Sequence, residues 1–175
     1  MNPPVIFLNI ALIALLVSCE PPTAVDISDA PMQWHKVTVT VDGPQADESD
    51  TGVNPFLDYR MTAFFIHESG TLSYNIPGYF AADGNAGETS ATAGNKWRVN
   101  LSPDRPGRWD YEIKIESGPE IAIADPEAEG ELLHFTKGSF EVGETDKRGR
   151  DFRAHGRLQY VGERYLKFAG SGKYF

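Results

Sequence analysis

Acidic side chains are the most numerous groups in this sequence that could do chemistry, since Asp and Glu together number 25. Hydrolysis of a glycosidic bond uses two carboxyl groups held about 5–5.5 Å or about 6.5–9.5 Å apart on a rigid scaffold. Here the acidic residues either fall in predicted turns, as Asp47, Glu48 and Asp50 do, or alternate with apolar residues, as Asp110 and Glu112 do. Carboxylates in such places are typical of solvated surfaces, so the sequence predicts no catalytic pair.

Histidine and serine do not indicate a site either. The four histidines lack the spacing of metal ligands, and the sequence has no Gly-x-Ser-x-Gly turn for a nucleophilic serine. The histidines are His35, His67, His134 and His155. The sequence therefore predicts no catalytic residue, no metal site and no cofactor.

Four residues around a predicted turn are the candidates for contact with a glycan: Tyr79, Phe80, Asp83 and Asn85. The aromatic pair follows Pro77-Gly78 and precedes a small, polar, glycine-rich segment at 81–95, which we interpret as a mobile loop. Aromatic faces with a few polar groups suit sugar rings, and Asp and Asn could also offer oxygen ligands to Ca²⁺. Core packing of the aromatic pair and a simple turn at Asp83-Gly84-Asn85 are the commoner roles of such residues.

The net charge of −9 limits the partners of the chain. An acidic surface repels phosphate backbones, so we expect no binding of nucleic acid. A basic run stands against this acidic background and consists of Lys147, Arg148, Arg150, Arg153 and Arg157. Such a run could meet anionic headgroups or polyanionic glycans, although a solvated connection between domains is its more common role.

A two-residue hydrophobic period dominates most of the chain and is clearest in Arg108–Glu116, where apolar and charged residues alternate. The other alternating runs are Trp34–Val41, Tyr59–His67, Leu72–Ile76, Trp97–Leu101 and Phe140–Val142, and a hairpin is predicted from Leu158–Tyr160 and Tyr165–Phe168. Turns rich in Gly, Pro and Asp separate these runs. Short strands with one polar face and regular turns are typical of an all-β sandwich or barrel.

The N-terminal segment differs from the rest of the chain. Val5–Val17 is an apolar run without charge, and its 13 residues are too few to span a bilayer but suit the helix of a signal peptide. This run leads into Leu16-Val17-Ser18-Cys19, which resembles a bacterial lipobox and implies cleavage before Cys19 and acylation of its thiol. We therefore predict a lipoprotein signal peptide at 1–18 and a flexible, proline-containing tether at 19–32. An ordinary secreted or buried cysteine is the alternative.

Several motifs between Trp34 and Val142 carry a resemblance to a known family. They are Asn54-Pro55-Phe56-Leu57-Asp58, Pro77-Gly78-Tyr79-Phe80, Trp97-Arg98-Val99, Ser102–Tyr111 and Gly138–Val142. Together they resemble an immunoglobulin-like bacterial domain of unknown function, which precedes the TIM barrel of glycoside hydrolases in secreted carbohydrate-degrading enzymes. The tail from Arg150 resembles the start of such a barrel. The family's catalytic carboxylates lie farther along the barrel, so the resemblance transfers no catalytic residue.

Taken together, the residues and the resemblance predict an all-β, immunoglobulin-like antiparallel β-sandwich at 33–145. A linker and β-hairpin follow at 146–175 and could begin a barrel domain that is truncated here. The predicted function is a non-catalytic accessory domain of a glycoside hydrolase, anchored as a lipoprotein in the bacterial cell envelope at the outer membrane or cell surface. Its partners would be the membrane, the barrel and a polysaccharide. A stand-alone carbohydrate-binding module and a structural or adhesion protein are the alternatives.

Overall fold

The computed structural model describes residues 25–28, 30–162 and 164–175. The predicted signal peptide at 1–18, Cys19 and the first part of the predicted tether lie outside these ranges. In the part of the chain that is described, no helix is long and apolar enough to cross a membrane.

Ten strands and one short helix make up the described chain. The strands are β1 (Val25–Ile27), β2 (Val37–Asp47), β3 (Tyr59–His67), β4 (Ser73–Pro77), β5 (Tyr79–Phe80), β6 (Ala93–Leu101), β7 (Gly107–Ser117), β8 (Glu131–Val142), β9 (Leu158–Tyr160) and β10 (Leu166–Phe168). The helix α1 (Ala86–Thr89) lies between β5 and β6, and a 3₁₀ turn (Phe152–Ala154) precedes β9. All strand pairs are antiparallel.

Two four-stranded sheets form the sandwich, which confirms the predicted all-β antiparallel fold. The first sheet has the order β1-β2-β6-β5 and the second the order β4-β3-β7-β8. A third, two-stranded sheet of β9 and β10 forms the C-terminal hairpin, as predicted.

The core between the two sheets follows from the two-residue period. On β7 the side chains of Trp109, Ile113 and Ile115 are fully buried, whereas Glu112 and Lys114 between them are exposed. Successive side chains of a strand point to opposite faces, so one face of each sheet meets the other sheet and one meets water. Burying each large apolar side chain contributes about 1.5–3 kcal/mol, and this burial is the main force that holds the sheets together.

A bulge in β2 lets the two sheets approach each other closely. A Cβ atom at Gly43 would lie 2.5 Å from Cδ1 of Trp97 and 2.6 Å from Cδ1 of Ile115, so the position admits only glycine. The carbonyl oxygen of the next residue, Pro44, accepts a 3.0 Å hydrogen bond from Nε1 of Trp97. The bulge therefore satisfies the polar atom of a buried tryptophan.

The start of the sandwich differs from the prediction. Val25–Ile27 lie in the segment that we predicted to be tether, but they pair with Val39–Val41 as an edge strand. The strand predicted from Trp34 begins only at Val37, because Trp34 has a φ of +63° and the chain turns there. Pairing with β1 satisfies backbone groups of β2 that would otherwise be open at the edge of the sheet.

Two further predictions are corrected. The segment 81–95 is not one continuous loop, since it contains α1 and the first residues of β6. Strand β8 starts at Glu131, whereas the sequence indicated only Phe140–Val142. Apolar residues such as Leu133 and Phe135 are exposed on β8, and they obscure the alternation from which a strand can be predicted.

Candidate functional site

Tyr79 lies on the outer face of the first sheet, where it borders a cavity of about 290 Å³. Strand pairing places it beside Arg98, and 44% of the residue is exposed. Its hydroxyl accepts a 3.4 Å hydrogen bond from Nδ2 of Asn100. Glu48 and Asn85 also line the cavity, so the structure brings Tyr79 and Asn85 together among polar groups of both charges.

Phe80 has a different position from the one we predicted for a glycan contact. Only 5% of it is exposed, and its ring packs against Trp97 at 5.2 Å and Phe56 at 6.4 Å between ring centroids. Because neighbouring residues of a strand point to opposite faces, an exposed Tyr79 requires Phe80 to face inward. Phe80 is therefore a core residue and is withdrawn as a candidate.

Asp83 stabilises the turn before α1. One carboxylate oxygen accepts a 2.7 Å hydrogen bond from the backbone N–H of Asn85, and the other accepts one of 2.7 Å from Oγ1 of Thr89. These hydrogen bonds, with that from Thr89 the stronger, hold the pKa of Asp83 below its ordinary value. Both oxygens are thus engaged locally. Within the described ranges, no group of three or more His, Cys, Asp or Glu side chains could hold a metal ion.

The C-terminal hairpin is attached to one end of the sandwich by four residues, which we name the hairpin clasp: Trp34, Tyr74, Asp104 and Arg157. The guanidinium of Arg157 forms an ion pair with Asp104 and donates 3.3 and 3.4 Å hydrogen bonds to the Tyr74 hydroxyl. It also lies 5.4 Å from the Tyr74 ring centroid and 6.0 Å from that of Trp34. Burial, followed by the hydrogen bond to Asp104, raises the pKa of Tyr74, so the phenol stays neutral.

The clasp is continuous with both the hairpin and the core. Cβ atoms at Gly156 and Gly170 would lie 3.0–3.1 Å from the indole of Trp34, so the two glycines allow the hairpin to pack directly on this ring. On the other side, the ring of Tyr74 stacks on Trp109 with centroids 5.8 Å apart and an interplanar angle of 14°. Because Trp109 is fully buried, the hairpin is linked through stacked aromatic rings to the core.

The hairpin exposes a group of apolar residues, which we name the aromatic surface: Phe152, Tyr165, Leu166, Tyr174 and Phe175. Between 38% and 66% of each residue is exposed. The rings form two separate pairs, with centroid distances of 5.4 Å between Phe152 and Phe175 and 6.0 Å between Tyr165 and Tyr174. Several large apolar side chains exposed in one short segment are typical of a place where a protein meets another surface.

The basic run is largely neutralised by neighbouring carboxylates. Lys147 pairs with Asp146 at 2.7 Å and Arg153 with Asp151 at 2.6 Å, while Arg157 belongs to the clasp. Two hydrogen bonds from the side chain of Arg153, followed by one from its backbone N–H, lower the pKa of Asp151 to about 2. Three of the five basic residues in this connection between sandwich and hairpin are therefore paired with carboxylates.

Sequence reasoning missed the clasp and the aromatic surface as functional features. The motif containing Asp104 and the basic run containing Arg157 were noticed separately, but nothing in the sequence shows that they meet. The exposure of the hairpin aromatics also depends on which face of a two-stranded sheet is covered, and periodicity does not determine this for strands of three residues.

Comparisons with known proteins agree with this architecture. The model of a family described as a domain of unknown function, DUF5060, matches residues 30–116. No curated protein matches the chain at a significant level. Among solved structures, a putative glycoside hydrolase from Bacteroides vulgatus ATCC 8482 is similar with a TM-score of 0.50 and 22% sequence identity. That match covers 85% of this chain but 21% of the other chain, so this chain spans about a fifth of the Bacteroides protein. Residues 30–116 are thus similar to a domain of unknown function, and the chain shares its β-sandwich fold with part of the Bacteroides protein.

Proposed function

We propose that this chain is a non-catalytic accessory region of a carbohydrate-degrading glycoside hydrolase, and that a catalytic domain packs on the aromatic surface of its hairpin. The observation that carries the proposal is the aromatic surface itself, in which five large apolar residues are each more than a third exposed. If a partner covered these residues, each Å² of apolar surface that it buried would contribute about 25 cal/mol to the binding free energy. The fold similarity to part of a larger hydrolase supports a catalytic domain as that partner.

The hairpin clasp gives the accessory region a mechanical role. An ion pair, hydrogen bonds and two cation–π contacts all act on Arg157, and the two glycines allow the hairpin backbone to pack directly on the Trp34 indole. A catalytic domain resting on the hairpin would therefore be held in one orientation relative to the sandwich. In this arrangement the sandwich orients the enzyme and does not carry out the reaction.

The described aspartates with shifted pKa values are held in their charged form by local hydrogen bonds. A glycosidase needs one carboxylic acid whose pKa is raised so that it can donate a proton near neutral pH. Among the described residues, each Asp with a clearly shifted pKa has it lowered, and local hydrogen bonds are the main cause. These residues are Asp47, Asp58, Asp83, Asp146 and Asp151.

Membrane anchoring through Cys19 completes the proposal and rests on the sequence alone. Each buried methylene of an acyl chain contributes about 0.8 kcal/mol, so two or more chains hold a protein at a bilayer. Cells that produce the protein are expected to incorporate labelled palmitate into it, and Cys19→Ala is expected to abolish the label. Equal labelling of the variant would remove the anchor from the proposal.

Immunoprecipitation of the native polypeptide tests the accessory role. We expect an antibody raised against the purified chain to precipitate, from the cells that make it, a polypeptide whose tryptic peptides include a catalytic carbohydrate-active domain. The precipitate should release reducing sugar from polysaccharide. A precipitated polypeptide that contains no such domain and brings down no hydrolase would contradict the proposal.

A stand-alone carbohydrate-binding module is the second candidate. The exposed ring of Tyr79 beside Asn85 and Arg98 favours it, because a ring bordered by polar groups suits a sugar. The cavity is small, however, and the candidate leaves the aromatic surface of the hairpin without a partner.

A further inference from the structure

The outer face of the second sheet carries a groove that the sequence did not indicate. Two adjoining cavities of about 400 and 230 Å³ lie on this face, and they share Phe64 and Glu112 in their walls. Phe64 stands between them on β3, and Phe135 on β8 borders the smaller one. Phe64 is 41% exposed and Phe135 is 53% exposed. Two phenylalanines therefore face water on a sheet whose other face forms the core.

The strand register fixes how these side chains are arranged. One cross-strand row contains Asn75, Phe64, Glu112 and Lys137, and the next row contains Thr62, Lys114 and Phe135. Phe64 and Phe135 therefore lie about 10 Å apart across the sheet and about 7 Å apart along it, on a diagonal. Charged and polar groups fill the space between the two rings.

The charges in the groove favour one kind of occupant. Arg108 pairs with Asp110 at 2.7 Å, and Lys114 pairs with Glu116 at 3.1 Å. Glu112 and Lys137 are neighbours of opposite sign in the same row, so positive and negative groups nearly balance although the whole chain has a net charge of −9. A neutral ligand with many hydroxyl groups satisfies donors and acceptors of both signs, whereas a polyanion would meet Asp110 and Glu112.

A protein partner suits this face less well. Charged residues are depleted from the centre of protein interfaces, because burying them without matched partners costs more than their contacts return. Here Glu112 and Lys114 lie at the centre, between the two phenylalanines. Hydroxyl groups of a sugar chain would keep hydrogen bonds to these side chains while its C–H faces pack on the rings.

We infer that this groove, lined by Phe64, Glu112, Lys137 and Phe135, binds a neutral polysaccharide chain. The inference rests on the proposed function, since it names the ligand class of the same accessory region. It places the glycan on the second sheet and not at Tyr79, which lies on the outer face of the first sheet.

Affinity electrophoresis of the purified chain tests the groove. The probes are four neutral polysaccharides, namely β-glucan, xylan, galactomannan and starch, with polygalacturonate as the anionic comparison. We expect at least one neutral polymer to retard the chain, the double variant Phe64→Ala/Phe135→Ala to bind it about tenfold or more weakly, and Phe64→Tyr to retain binding. Ile123→Ala, at an exposed apolar residue outside both cavities, is the matched control and should bind as the unchanged chain does. Tyr79→Ala tests the rival site on the first sheet.

Three results would overturn the inference: no retardation by any neutral polymer, stronger retardation by polygalacturonate, or loss of binding in Tyr79→Ala but not in the double variant. If thermal melting shows that the double variant is unfolded, Lys137→Ala and Glu112→Gln take its place and must weaken binding. If the groove does not bind a glycan, the proposed accessory role is unaffected, because the composition of the native polypeptide is measured independently of glycan binding.

Discussion

Replacing Trp109 by alanine is expected to lower the free energy of unfolding by about 3–5 kcal/mol, the range for deleting a buried aromatic side chain. The residue is fully buried, and its Nε1 donates a 3.0 Å hydrogen bond to the carbonyl oxygen of Arg105. Its ring also contacts Tyr74 at 5.8 Å and His67 at 5.2 Å between centroids. Alanine would leave a cavity, an unpaired carbonyl group and an unsupported clasp ring. Urea unfolding monitored by circular dichroism measures the loss.

Two control variants show whether this loss comes from packing. Trp109→Phe keeps most of the ring volume and should cost clearly less than Trp109→Ala, while Phe135→Ala removes an exposed ring and should stay within about 0.5 kcal/mol. The slope of the free energy of unfolding against urea concentration should be the same in all three variants, because each exposes a similar surface on unfolding. A loss below about 1 kcal/mol in Trp109→Ala would mean that the tryptophan does not lie in the core.

Removing Arg60 is expected to lower the free energy of unfolding by about 1.5–3 kcal/mol, because the buried carboxylate of Glu116 would lose its hydrogen bonds from the guanidinium and keep only the ion pair with the half-exposed Lys114. The guanidinium donates two 3.3 Å hydrogen bonds to Oε2 of Glu116, which is 5% exposed. It also donates a 3.2 Å hydrogen bond to the carbonyl oxygen of Asp125 and another to that of Ala128. Arg60 thus connects β3, β7 and the loop before β8, and Arg60→Ala would release all three.

The exposed ion pair of Arg108 and Asp110 provides the matched control for Arg60. Their side chains are 55% and 42% exposed, and such pairs contribute about 0–1 kcal/mol. Arg108→Ala should therefore change the urea midpoint little. If Arg60→Ala and Arg108→Ala shift the midpoint equally, the Arg60 network is not buried in the way described above.

The contrast between Glu116 and its neighbours shows where sequence reasoning succeeds and where it fails. Strict alternation correctly assigned Trp109–Ile115 of β7, because burial of one face is a local property of the strand. The same alternation placed Glu116 in water. A register shift between Ile115 and Glu116, together with the Arg60 network, covers it instead. Burial of a charge depends on a distant partner, which a local pattern does not contain.

The candidate sites show the same limit. The pair Tyr79-Phe80 was recognised, but which ring faces water depends on the pairing of β5 with β6. Phe64 and Phe135 come together only through β7, and Arg157 meets Asp104 only when the hairpin folds back on the sandwich. Composition and periodicity therefore predicted the fold class, whereas the sites required the register and the long-range contacts.

Hydrogen–deuterium exchange of the hairpin, compared between the purified chain and the native protein isolated from cells, tests the central claim most directly. If a catalytic domain covers the aromatic surface, amides of β9, β10 and the residues near Tyr174 will exchange much more slowly in the native protein, while those of β2 and β7 exchange equally in both. Equal exchange of the hairpin in the two samples would show that nothing packs on the aromatic surface, and would contradict the account.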